Sequence, residues 1–163
     1  MKRKVLLLLF CGLVFVALGS VPENAANQAQ AQAITTADYQ DSAWLANMQR
    51  FSSLLDNDFK SVSAVSSSDD LSPITVFGRY LIYDTQRATN DNDMYKVSPK
   101  YQDAQKEWRL ALQDYNLAGK LMVETDDEVL NNTETTAYVN QYTAYLNSGN
   151  KHANMSYALL KAV

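Results

Sequence analysis

The chain has 163 residues, 47% of them hydrophobic, with 18 acidic residues against 14 basic, one histidine and one cysteine. That is the length of one domain. A net-acidic chain whose basic residues do not cluster beyond residue 4 repels phosphate backbones and anionic bilayers, so neither nucleic acid nor insertion of the mature domain into a membrane is expected.

Lys2, Arg3 and Lys4 precede an uncharged run from Val5 to Leu18. Ala17 and Gly19 are small residues at the −3 and −1 positions of a cleavage site, so residues 1–19 read as a secretory signal peptide. The run has 14 residues, short of the roughly 20 that span a bilayer core; retention as an anchor is the alternative. Cys11 lies inside it, preceded by Leu9 and Phe10 rather than the small residues of a lipidation site. Loss of the signal leaves no cysteine and no disulfide, although the compartment permits them. It also leaves 11 basic residues against 18 acidic, a formal charge of −7.

Residues 20–35 are rich in Ala, Gln and Asn. After Val21, the stretch to Ala33 has no large apolar residue to bury, and it reads as a flexible leader. The folded domain is expected over residues 36–163, long enough to bury about two-thirds of its unfolded surface.

Four helices follow from periodicity and punctuation. Trp44, Met48, Phe51, Leu55, Phe59 and Val62 recur at steps of three and four and make one apolar stripe. Ser66, Ser67 and Ser68 end it. Ser72-Pro73 is a cap-plus-proline start for a second helix. Its stripe is Ile74, Phe77 and Leu81, with Tyr80 and Ala88 alongside. The polar run from Thr89 to Asp93 is expected to stop it. Ser98-Pro99 starts the third helix, in which Tyr101, Ala104, Trp108, Ala111, Tyr115, Ala118 and Met122 alternate steps of three and four. That is a heptad seam, expected to end near Glu124, before Asp126-Asp127-Glu128. In the fourth helix Val139, Tyr142, Leu146, Gly149, Ala153, Tyr157 and Leu160 keep a helical period. Asn147-Ser148-Gly149-Asn150 is also a good stop signal, so this helix either breaks there or, as we expect, runs on with Gly149 facing the core. No alternating strand pattern occurs. Trp108, Leu112 and Tyr115 have tetratricopeptide-like spacing, but no second copy of such a unit exists. The fold class expected is all-α, an antiparallel up-down-up-down four-helix bundle preceded by a signal peptide and a flexible leader.

No catalytic or metal-binding constellation emerges. His152 has no cysteine or activated serine to work with; neither a G-x-S-x-G elbow nor a C-x-x-C-H motif is present. Glu-x-x-His pairs of the di-iron type are also missing. Asn90 to Asp93 and Asp126 to Glu128 are oxygen-rich, but they lack the spacing and the distal glutamate of a calcium loop. No cofactor is therefore expected, and the chain reads as a non-enzyme. All ten tyrosines lie beyond the signal segment. Buried tyrosines must place their hydroxyls, so two arrangements are open. The phenols either pack in a core, or Trp108, Tyr101, Tyr115 and Tyr142 wall a cleft between helices that takes a small organic ligand. A cleft requires Trp108 to be accessible from one side. Asn131 and Asn154 each begin an N-x-[ST] triplet, the acceptor pattern for glycosylation in an exported chain. The leading expectation is an exported interaction or structural module of the cell envelope or extracellular space, binding another such protein or a copy of itself. The alternative is a small-molecule-binding domain built on the aromatic cleft.

Overall fold

The computed structural model describes residues 39–65, 72–127 and 132–163. The expected signal segment, the leader and Asn131 lie outside the described residues. Among those described, the secondary structure is four helices and no strand: α1 (Asp41–Val65), α2 (Ser72–Met94), α3 (Pro99–Asp127) and α4 (Asn132–Lys161). None is long and apolar enough to cross a membrane.

The stripes read from the sequence are the core. Every member of the α1 stripe, of the α3 seam and of the α4 series is buried. In α2, Ile74, Leu81 and Ala88 are buried and Phe77 packs against them from the edge. Tyr80, expected alongside this stripe, is instead largely exposed.

Two helix ends differ from expectation. The Thr89–Asp93 run does not stop α2, which continues to Met94. The reason is tertiary: Asn92 is buried and its Oδ1 accepts a 2.9 Å hydrogen bond from Trp44 Nε1. A polar side chain with a buried partner holds the last turn in place despite its low helix propensity. The third helix runs three residues past Glu124, to Asp127. As expected, α4 passes through Gly149 unbroken. No described glycine has positive φ, so Gly149 is an interior helical residue and not a cap.

Contacts between the helices are specific. Asp41, the first residue of α1, accepts hydrogen bonds from the backbone N–H and the hydroxyl of Ser98, each 2.7 Å. This joins the start of α1 to the residue that opens α3. Near the end of α2, Asp91 accepts from Asn47 and Arg50 of α1. Between α2 and α3, Asn116 donates to the Ile82 carbonyl and to Thr85 Oγ1. Those two helices approach backbone to backbone at Gly78 and Gly119. A Cβ on Gly78 would lie 2.8 Å from Met122 Cβ and 2.9 Å from the Gly119 carbonyl oxygen. Between α3 and α4, Ser156 donates to the Ala104 carbonyl at 2.8 Å. Finally, Ser52 of α1 and Tyr157 of α4 share a buried 2.6 Å hydroxyl contact.

Candidate interaction surface

Trp108, Tyr101, Tyr115 and Tyr142 are all within the closed core, and Trp108 is only 1% exposed. Trp108 lies 6.4 Å from the Tyr157 ring, and Trp44 lies 6.0 Å from Tyr101. Phe59 meets Tyr115 edge to face at 5.2 Å. The access to Trp108 that a ligand cleft at this place requires is missing. The physical reason is packing: Tyr157 covers Trp108, Phe59 meets Tyr115 and Trp44 meets Tyr101, and all four residues of the expected cleft are buried. Tyr115 sends its hydroxyl to Asn150 Oδ1 at 2.8 Å. Burial pushes the phenols of Tyr115, Tyr142 and Tyr157 upward, so all three stay neutral at ordinary pH. Tyr115 and Tyr157 are core tyrosines with placed hydroxyls and Tyr142 is buried beside them, the packing arrangement of the two that the sequence left open.

The polar clusters are occupied by partners from the same chain. Asp91 pairs with Arg50 at 3.2 Å and Asp93 with Arg109 at 3.0 Å. The oxygen-rich Asn90–Asp93 run thus ties α2 to α1 and α3. Asp126 and Asp127 fall in the last turn of α3, while Glu128 is outside the described residues. His152 on α4 meets Glu107 on α3, with 2.6 Å between Nδ1 and Oε2. Among the described residues no three His, Cys, Asp or Glu side chains come together as a metal site. Asn154 is exposed on α4, but Ser156, the third residue of its triplet, is fully buried.

One titratable group stands apart. Asp58 of α1 has an enclosed Oδ2 that accepts no hydrogen bond. Burial, and then the Asp84 carboxylate on α2, push its pKa up to about 7. Two carboxyl groups face one another across the α1–α2 contact and favour a proton on one of them.

The surface of α2 supplies what the core does not. Val76, Tyr80 and Tyr83 are 47%, 54% and 61% exposed. With Arg87 they recur at steps of four, three and four, and Arg79 stands beside them. Helical geometry puts all five within about 100° of arc, on the side opposite Leu81 and Thr85. The helix therefore carries two stripes. One, around Leu81, is buried; the other is in solvent. Periodicity marks both equally, which is why sequence reasoning took Tyr80 toward the core and passed over Val76 and Tyr83. Gly78 is the signal that separates them. A glycine where a Cβ would strike α3 identifies the side that packs, and Val76, Tyr80 and Tyr83 lie away from it.

No family model, curated protein or solved structure matches this chain. The functional reading therefore rests on its own geometry. Exposed large apolar side chains are common singly and informative when grouped. Tyrosine and arginine together are the composition of contact surfaces. Among the described residues this face is exposed and combines two tyrosines, a valine and two arginines.

Proposed function

We propose that the chain is an exported, non-enzymatic interaction module of the cell envelope or extracellular space. The observation that carries this reading is the division of its aromatic residues. Trp108 and its neighbouring tyrosines are sealed in the core, while Val76, Tyr80 and Tyr83 stand in solvent on one face of α2. Export is supported by the basic residues Lys2, Arg3 and Lys4, the apolar run and the small residues before the Gly19 cleavage point. A non-enzymatic role is supported by the use of the polar side chains. Asp91, Asp93 and Glu107 each pair with a cation or imidazole of another helix.

We further propose that the helices alternate in direction as an up-down-up-down bundle. Three sets of contacts support this. Trp44, early in α1, meets Asn92, late in α2. Asn116, late in α3, meets Thr85, in mid-α2, while Gln105, early in α3, donates to the Asn92 carbonyl. Ala104, early in α3, meets Ser156, late in α4. Such a bundle presents rigid helix faces, on which a contact surface costs little ordering to use.

Native mass spectrometry of the full chain purified from its own host tests the function. A complex with an envelope or extracellular protein, or with further copies, is the expected result. A chain that carries only a small adduct lost on denaturation would contradict the proposal and favour a ligand-binding domain.

A further inference from the structure

We infer that the outer face of α2 is a docking surface for an acidic protein segment that presents apolar side chains between its carboxylates. The inference rests on the interaction reading above and names the partner's chemistry. Four arginines lie among the described residues, and two of them are neutralised within the chain: Arg50 by Asp91 and Arg109 by Asp93. Arg79 and Arg87, which flank Tyr80 and Tyr83, form no ion pair with any described residue.

The surroundings sharpen the point. The chain carries 18 acidic residues against 14 basic, yet the exposed positions from Val76 to Arg87 include no acidic residue. Asp84, the one carboxylate in that stretch, is half-buried and faces Asp58. A cationic, aromatic strip on an acidic domain is a local reversal of charge, and complementary potential is what selects a partner at such a surface. The chemistry of each residue agrees. Guanidinium groups take carboxylates in two parallel hydrogen bonds. Tyrosine offers a large, stiff apolar face with a polar tip. Arg79 and Arg87 are eight residues apart, about 12 Å along the helix, so the partner's carboxylates must bracket an apolar stretch of that length. A second copy meeting this face with its own would set arginine against arginine, which disfavours a symmetric dimer here.

The test is a titration of the full, nitrogen-15-labelled chain, expressed for export with its own N-terminal segment. The probe is a capped helical peptide of Glu, Leu and Ala whose leucines lie between glutamates. Its controls are the same peptide with lysine for each glutamate, and phosphatidylglycerol vesicles. Saturable amide shifts confined to residues 76–87 are expected. Added salt should weaken the binding, and the double variant Arg79→Ala/Arg87→Ala, or Tyr80→Ala alone, should weaken it about tenfold. The glutamate peptide failing to shift α2, the lysine peptide binding as well, or the vesicles occupying the face in its place would each overturn the inference. Saturable shifts on another face would overturn it too, while leaving the interaction module standing. Failure of the module itself is read separately, from the native mass spectrum.

Discussion

Gly149 of α4 packs directly against the ring of Tyr115 on α3: a Cβ at that position would come 2.6 Å from Cε1 and 2.8 Å from Cδ1. The contact explains why α4 survives a sequence that invites it to stop. The missing side chain leaves the space that the ring fills, and the Tyr115 hydroxyl then reaches Asn150, one residue further on.

Gly149→Ala is therefore expected to destabilise the fold by about 1–3 kcal/mol through overpacking. Helix propensity alone would favour alanine by about 1 kcal/mol. The ring cannot step aside easily, because Phe59 packs against it edge-on. Urea unfolding of the variant checks the sign; a more stable protein would mean that Tyr115 moves freely.

Asn92 gives a second expectation. Asn92→Ala removes the acceptor for the buried Trp44 indole N–H and leaves that donor without its partner. A loss of about 1–3 kcal/mol should follow. The last turn of α2 should fray with it, as a gain in amide exchange over residues 89–94.

Asp58 ties stability to pH. Its pKa rises from 3.8 to about 7 on folding, first through burial and then through Asp84. Between those values the folded chain holds a proton that the unfolded chain has released. Stability contributed by this group accordingly falls as pH rises from about 4 to about 7, and is level above that. Asp58→Asn should be more stable than the parent at pH 8, by about 1–2 kcal/mol once the partial exposure of the site is allowed for. At pH 4 the two should differ by a few tenths at most. Chemical denaturation at both pH values measures this, and an equal difference at both would contradict it.

Trp108→Ala tests the reading of the core. Emptying a sealed site of this size costs about 3–5 kcal/mol. The loss should appear as a lowered unfolding midpoint, and binding by the chain that remains folded should be unaffected.

Much of this architecture was legible in the residues because burial enforces periodicity. Trp44 to Val62, Tyr101 to Met122 and Val139 to Leu160 fall on the core side as their spacing requires. What the spacing did not convey came from contacts between distant residues. The polar end of α2 reads locally as a stop, and only Trp44, 48 residues away, makes it a helix. The tyrosines of α3 and α4 read as a core or, alternatively, as the wall of a cleft. In the structure they are buried, with Phe59 packed against Tyr115 and Tyr157 against Trp108. The α2 surface was hidden for the opposite reason. Val76, Tyr80 and Tyr83 have the period of a buried stripe, and the close approach at Gly78 and Gly119 shows that the opposite side of the helix, with Ile74 and Leu81, is the one that packs.

The most direct measurement compares the full chain with its Tyr80→Ala/Tyr83→Ala variant, each purified from the native host, by native mass spectrometry and thermal unfolding. Both side chains are largely in solvent, so the unfolding midpoint should stay close to that of the parent, since exposed positions contribute within about 0.5 kcal/mol. The parent should run as a protein complex and the variant as a folded single chain. A complex that persists unchanged in the variant, or a collapse of its stability, would contradict the claim that this face is the working surface and the sealed aromatics its support.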